Sequence, residues 1–326
     1  MPLSTSVVLC TCNGARFLEA QWNSLLAQSR LPDEIVVRDD ASGDATPDML
    51  QALCKRAEGL GIRARLARNV RNLGYVANFA AALRDASGDV LFLCDQDDVW
   101  HADKLATLAS AFEGRSGLLL LCSDARRIDT VDAGLRRSLF EVLRVSRGEL
   151  RRIHTGQGFQ VLLRRSLATG ATIALRCTLL DDALPFPAGW VHDEWLAIIA
   201  AALGGFDCVE QPLIDYRQHA NNQIGMPDRD LAAKWHDLVK PRAALIDMLI
   251  ACGDSLQQRL SALGSRVPDA RRERVAEKLR HLHARSEIPG IPLRRFGTVL
   301  RETASGRYRR YGTGWRSALR DLLRHD

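Results

Sequence analysis

Asp95, Gln96, Asp97 and Asp98 put three carboxylates into four residues, directly after the apolar run Val90-Leu91-Phe92-Leu93-Cys94. That run, bounded upstream by Ser87-Gly88-Asp89, reads as a short buried strand. Carboxylates crowded at a strand exit repel one another and lose hydration unless positive charge sits among them. A divalent cation suits the place, since it takes hard oxygen ligands and can be shared with the phosphates of a substrate. The plainer reading of the same residues is an acidic turn capping a helix that begins near Trp100. A second pair of acids, Asp193 and Glu194, closes the Pro- and Gly-rich stretch Pro185–Trp190 and opens a helical segment. Neighbours on a helix point about 100° apart, so only one of the two can face a site. Both could equally be first-turn acids favoured by the helix dipole.

The elements that must position these acids alternate regularly. Ser6–Thr11 is β-branched and apolar and stops at Cys12-Asn13-Gly14, a turn signal. A helical period carries Phe17, Leu18, Trp22, Leu25 and Leu26 and breaks at Pro32-Asp33. Glu34–Arg38 is a second strand ending in Asp39-Asp40; a helix from about Pro47 to Leu60 leads to a third strand, Ile62–Leu66. The loop Asn69–Gly74 opens a helix bearing Val76, Phe79, Ala80 and Leu83, and the fourth strand ends at Asp95. Strand, polar loop and helix in repetition predict a mainly parallel sheet flanked by helices, an α/β architecture. Ligands of such sheets bind beyond the carboxyl ends of the strands, and all four polar clusters fall there. Neither Gly-x-Gly-x-x-Gly after the first strand nor Gly-x-x-x-x-Gly-Lys-Ser/Thr occurs, which removes the common dinucleotide and P-loop sites.

Composition sets wider bounds. The 326 residues are 46% hydrophobic and 26% charged, without low-complexity segments or repeats, as in ordinary soluble chains. The longest apolar stretch, Trp195–Leu203, is about half of what a bilayer demands. No basic region followed by an apolar core opens the chain, so no signal peptide is predicted. Eight scattered cysteines without a Cys-x-x-Cys pair suit reduced thiols and a cytoplasmic location. The net charge of +6 is uneven: from Arg229 onward 21 Lys and Arg face 11 Asp and Glu.

Taken together, Thr11-Cys12-Asn13-Gly14, Asp39-Asp40-x-Ser42-x-Asp44-x-Thr46, Asn72-x-Gly74 and Asp95-Gln96-Asp97-Asp98-Val99-Trp100 resemble, in order and spacing, the family 2 glycosyltransferases of the GT-A fold. The resemblance covers roughly residues 4 to 225, and Asp-Gln-Asp-Asp-Val-Trp is most similar to the bacterial rhamnosyltransferase-like branch. It implies a GT-A sheet over residues 1–225 and a basic helical region over 226–326. It further implies that Thr11, Cys12, Asn13, Asp39, Asp40, Asn72, Asp95, Gln96 and Arg217 meet the donor nucleotide, with Asp40 the base contact favoured over Asp39. Asp97 and His219 would ligate Mg2+ or Mn2+, and Asp193 would be the catalytic base, with Glu194 its rival. Cys12 departs from the pattern, since many relatives carry there a Tyr that stacks on the base. A lone His near a strand end is more often structural, and Asp39-Asp40 alone would read as a helix cap.

Between the acids, Leu118–Cys122 is predicted as a buried strand, and Thr169–Leu175 as a loop and strand near the sugar. Pro185–Trp195 would be a lid over an acceptor sugar. Beyond Met226, helices are predicted at Leu231–Leu249, Ser255–Leu263 and Arg271–His283. The tail from Leu293 mixes Phe296, Val299, Leu300, Tyr308, Tyr311, Trp315, Leu319, Leu322 and Leu323 with nine arginines. Such a segment suits the surface of an anionic membrane, with a solvated helical bundle as the rival; no nucleic-acid module accompanies the charge.

The activity expected is inverting, metal-dependent transfer of a sugar, rhamnose from dTDP-rhamnose preferred, to a saccharide or lipid-linked saccharide in cell-surface polysaccharide, O-antigen or lipopolysaccharide synthesis. The location would be cytoplasmic, or peripheral on the inner face of the cytoplasmic membrane. A UDP-hexose or UDP-N-acetylhexosamine transferase of the same family and a non-catalytic nucleotide-sugar-binding protein are the alternatives. A nucleotidyltransferase would need a longer Gly-rich, basic loop after the first strand than Cys12–Arg16. A processive polymer synthase would bring a Gln-x-x-Arg-Trp signature and spanning helices, and the chain shows neither.

Overall fold

A computed structural model describes residues 2–219, 242–288 and 292–324. The chain divides into two compact units. The first comprises Met1–Gly158, Leu167–Phe186 and Val191–Gly225; the second comprises Phe159–Ser166, Pro187–Trp190 and Met226–Asp326.

The first unit is built on an eight-stranded sheet. Its strands are β1 (Thr5–Thr11), β2 (Glu34–Asp39), β3 (Arg63–Arg68), β4 (Val90–Cys94), β5 (Val99–Trp100), β6 (Leu120–Ile128), β7 (Ile173–Arg176) and β8 (Phe206–Arg217). Their spatial order is β3-β2-β1-β4-β7-β6-β8-β5. β1 lies parallel to β2 and β4, and β2 parallel to β3. β7 runs antiparallel between β4 and β6, while β8 is parallel to β6 and antiparallel to β5. β1 and β4 are buried at every residue, as parallel strands covered on both faces must be. β3, at the sheet's edge, has no fully buried residue and exposes Arg63, Arg65 and Arg68.

The helix Ala15–Leu26 buries Leu18, Gln21, Trp22 and Leu25, spaced three and four apart on one face. The helix His192–Leu203 is apolar nearly all round and ends at Gly204, whose φ of 89° is the left-handed cap that glycine adopts without strain. Two sequence expectations change. No helix begins at Trp100: Val99 and Trp100 pair with Asp215 and Ile214, and the helix starts at Lys104. The strand expected over Leu118–Cys122 runs instead from Leu120 to Ile128 along β8, with a register irregularity about Asp124.

The second unit is helical in its C-terminal part. Ala243–Ala262 is one helix through the break expected before Ser255, followed by Asp269–Ser286. A Cβ on Gly253 would lie 2.6 Å from a methyl of Leu279, so this glycine permits the two helices to approach. Ile288, Val299, Tyr308 and Ala318 form a small core with Leu322 against it. Positions 231–241 of the first predicted C-terminal helix lie outside the described residues. No helix among the described residues is long and apolar enough to cross a membrane.

Candidate active site

The loops after β1 and β2 are stitched together by the polar residues whose spacing marked them. Asp39 accepts from the Thr11 hydroxyl (3.0 Å), from Ser42 N (3.0 Å) and from the Ser42 hydroxyl (2.5 Å). Asn13, at a φ of 51°, donates its N–H to Ser42 Oγ and accepts from Gly43 N, both at 2.8 Å. Gly14 N donates to Thr46 Oγ1 at 2.8 Å, and Ala15 N to Asp44 at 3.2 Å. Asp40 is buried and its Oδ1 accepts from Asn69 (2.7 Å) and Leu73 N (2.8 Å), while Oδ2 accepts from Gly74 N (2.9 Å). Gly74 has φ 80° and ψ 152°, a conformation closed to residues with a Cβ, which accounts for Asn72-x-Gly74.

Gln96 bridges the first and fourth strand exits. Its Oε1 accepts from Cys12 N at 2.8 Å and its Nε2 donates to Cys12 O at 3.0 Å, the pairing one peptide group makes with another. Asn72 donates to the Cys12 sulfur at 3.3 Å. Burial, then the charges of Asp40 and Asp39, push the Cys12 thiol up, so it stays protonated. The residues expected at the nucleotide are thus brought together. The carboxylates of Asp39 and Asp40 and the amide of Gln96 are engaged by the chain, while Asn13 and Asn72 are exposed at the mouth.

The acids from distant segments share one electrostatic site. Burial raises the Asp95 carboxyl to about 7, and the charges of Asp97 and Asp193 push in the same direction against Lys104. Asp98 is fully buried; burial, then Asp97 and Asp95, push it well up, and its Oδ2 has no hydrogen-bond partner among the described residues. Burial, then the charges of Asp98, Asp95, Asp97 and Asp193, push the Tyr216 phenol on β8 well up. Asp97 Oδ2 lies 2.7 Å from His219 Nε2, and the His219 ring stacks on Phe17 at 5.2 Å. No third ligand-type atom of a His, Cys, Asp or Glu joins Asp97 and His219 within 4.8 Å among the described residues. A carboxylate and an imidazole in contact offer two ligand atoms to a cation that completes its shell with phosphate oxygens and water. The neighbouring acids Asp95 and Asp98 lie outside that pair and would favour such an ion only through their charge.

Asp193 is held at the start of its helix by two backbone donors, Glu194 N to Oδ1 at 2.7 Å and Gly170 N to Oδ2 at 2.9 Å. One lone pair remains on each oxygen for a proton. Glu194 is half-buried, and its charge, like that of Asp193, raises Tyr75 after burial has done so.

The guanidinium of Arg217, assigned by resemblance to the donor, is turned to the chain itself. It is 2% exposed, donates to Asp97 O (2.7 Å), Asp129 O (3.1 Å) and Asp132 (2.5 Å), and lies 4.7 Å from the Phe17 ring centroid. With Arg217 N bonded to Asp98 Oδ1 at 2.9 Å, it braces the acidic turn from β8. Trp190, expected in a lid, donates its indole N–H to Cys252 O and Ser255 Oγ at 3.1 and 3.0 Å within the second unit.

Two residues at the site carried no sequence signal. Lys104 is wholly buried, with Nζ 3.6 Å from the Trp100 ring centroid and 2.7 Å from Ala171 O; burial brings it down to about 7. His192, stacked on Phe79 at 4.3 Å, has no hydrogen-bond partner on either ring nitrogen among the described residues, and burial lowers its pKa.

The description of glycosyl transferase family 2 matches residues 6–181, more than half of the chain. The chain belongs to that family. It is a glycosyltransferase. An uncharacterised protein of Mycobacterium tuberculosis is 26% identical over 251 residues, 75% of this chain and 68% of its own length. An uncharacterised glycosyltransferase of Nostoc is 33% identical over 111 residues, about a third of each chain. Among solved structures, residues 1–349 of Staphylococcus aureus TarS in complex with UDP-GlcNAc superpose with a TM-score of 0.59 at 16% identity, covering 98% of this chain and 90% of that one. The Pyrobaculum calidifontis mannosyltransferase in complex with GDP-Man and Mn2+ gives 0.52 at 17% identity, covering 99% and 86%. These likenesses show the GT-A type fold for this glycosyltransferase.

Proposed function

We propose that this glycosyltransferase is inverting and metal-dependent, moving a sugar from a nucleotide donor to a saccharide hydroxyl, with Asp193 as base. The supporting observation is that adjacent residues link Asp193 to the lysine beside the acidic turn: Gly170 N donates to Asp193 Oδ2 at 2.9 Å and Lys104 Nζ to Ala171 O at 2.7 Å, and the charges of Asp97 and Asp193 both push the Asp95 carboxyl up. The acceptor oxygen bonds the anomeric carbon on the face opposite the diphosphate. The carbon–oxygen bond to the diphosphate breaks with its electron pair, and the acceptor's proton passes to Asp193. Asp97 and His219 would hold a divalent cation, which when bound supplies positive charge to the leaving diphosphate. Arg217 would keep Asp97 in place, and Asp95 would meet the ribose or diphosphate. The UDP-GlcNAc and GDP-Man complexes of the two similar folds support a nucleotide-sugar donor. dTDP-rhamnose is the donor proposed on the Asp-Gln-Asp-Asp-Val-Trp variant, with a surface polysaccharide or lipid-linked saccharide as acceptor. Thermal-shift screening of nucleotide sugars with and without Mn2+ tests the reading; no Mn2+-dependent stabilisation by any of them would overturn it.

Peripheral membrane association is favoured by one observation in the second unit. Phe296 is 60% exposed, Leu300 56% and Trp315 70%, within the segment of excess positive charge. Phe296 and Leu300 lie one helical turn apart, while Val299 and Tyr308 are buried. Removal of residues from Leu293 onward should lower partitioning onto anionic liposomes; unchanged partitioning rejects this role.

A further inference from the structure

A basic cavity of about 470 Å³ in the first unit is lined by His101, Arg126, Arg127 and Arg137, with an apolar wall from Leu135 and Pro212. One carboxylate, Asp215, balances part of this charge and is already shared. His101 Nε2 meets its Oδ1 at 2.8 Å, and Arg126 donates Nε at 2.6 Å with a second bond from its NH2. Arg127 is 7% exposed and its Nε is buried with no hydrogen-bond acceptor among the described residues. Among the described residues no carboxylate pairs with Arg127 or with the exposed Arg137. A buried guanidinium without a counter-charge is costly, and a bound anion removes that cost. Planar guanidinium groups match the oxygens of phosphate, while Leu135 and Pro212 give the group that carries the phosphate an apolar surface.

We propose that this cavity binds a phosphate group, at a place separate from the acidic donor site. The proposal holds whether or not the donor reading does. The phosphate could belong to a soluble phosphorylated compound or to a phospholipid headgroup; the recognition chemistry is the same.

The test uses the full chain in EDTA, so that no metal recruits phosphate to the acids. Inorganic phosphate is titrated calorimetrically in one arm, and phosphatidylglycerol vesicles are compared with phosphatidylcholine vesicles in the other. Arg137→Gln is compared with Arg136→Gln, an exposed neighbour that removes the same charge without lining the cavity. Loss of one charge-assisted contact should weaken binding about tenfold in Arg137→Gln and less than about twofold in Arg136→Gln. Arg137-dependent binding of inorganic phosphate supports a soluble ligand, and the same dependence on phosphatidylglycerol alone supports a headgroup. Equal weakening by the two variants, or no binding of either probe, overturns the proposal.

Discussion

Asp97 and His219, 122 residues apart in sequence, meet at 2.7 Å, and the Phe17 ring lies against the histidine. If this pair holds the cation, His219→Ala should leave folding intact and raise the Mn2+ concentration needed for half-maximal donor binding by about tenfold to a hundredfold. Asp97→Ala should abolish the Mn2+ response altogether. Calorimetric titration of donor at several Mn2+ concentrations reads both, and an unchanged Mn2+ requirement in Asp97→Ala refutes the ligand role.

Asp193 is tied by backbone donors to a fixed orientation. Asp193→Asn keeps a similar shape and removes the basic lone pair, so transfer should fall about 10²- to 10⁴-fold with donor affinity retained. Single-turnover transfer beside equilibrium donor binding separates the two effects. Full turnover in Asp193→Asn, with its loss in Glu194→Gln, would move the base by one residue.

A Cβ on Gly14 would come 2.1 Å from Gln96 Oε1. Gly14→Ala should therefore displace the Gln96 amide from Cys12 and lose two hydrogen bonds, about 1–3 kcal/mol of stability. In a Gln96→Ala background the same substitution should be close to neutral. Urea midpoints of the four variants give the coupling directly; additive costs would dismiss the clash.

Burial alone would raise the Asp215 carboxyl, but its bonds to His101 and Arg126 outweigh that and hold it at about 2. A carboxyl depressed on folding stabilises the native state above its unfolded value near 4, and the contribution fades as pH falls towards 2. Asp215→Asn should thus cost about 2 kcal/mol at neutral pH, a deficit that narrows below about pH 4. Denaturation midpoints from pH 7 to pH 3 check the slope; a constant deficit contradicts it.

The strand exits were legible because burial on both faces leaves long apolar runs, as in β1 and β4, that end abruptly in polar residues. Which atoms those polar residues serve was not legible. Asp39, Asp40 and Gln96 were expected to face a nucleotide, yet most of their bonding capacity joins three loops to one another. Spacing places a carboxylate at a strand end without saying which lone pairs the chain itself will occupy. The turn after Asp98 differs from its sequence expectation for a related reason: Trp100 is drawn into a strand by Ile214, and local propensity is blind to a partner so far along the chain. Lys104 and His192 carry no sequence signal because burial of a polar side chain beside an acid leaves no periodic trace. Arg217 adds a role that spacing does not announce: from β8 it bonds Asp98 Oδ1 and Asp97 O and so secures the turn presenting the acids.

β3, with Arg63, Arg65 and Arg68 along its outer edge, also limits how copies of this protein can meet. Edge strands invite a neighbour to continue the sheet, and guanidinium groups discourage it by the desolvation and mutual repulsion that pairing would impose. Arg65 and Arg68 are moreover tethered to Glu34 and Asp39 beneath them, at 3.2 and 3.3 Å, and so are not readily swung aside. Fibre-like stacking through this rim is thereby disfavoured, even where the molecules are crowded together.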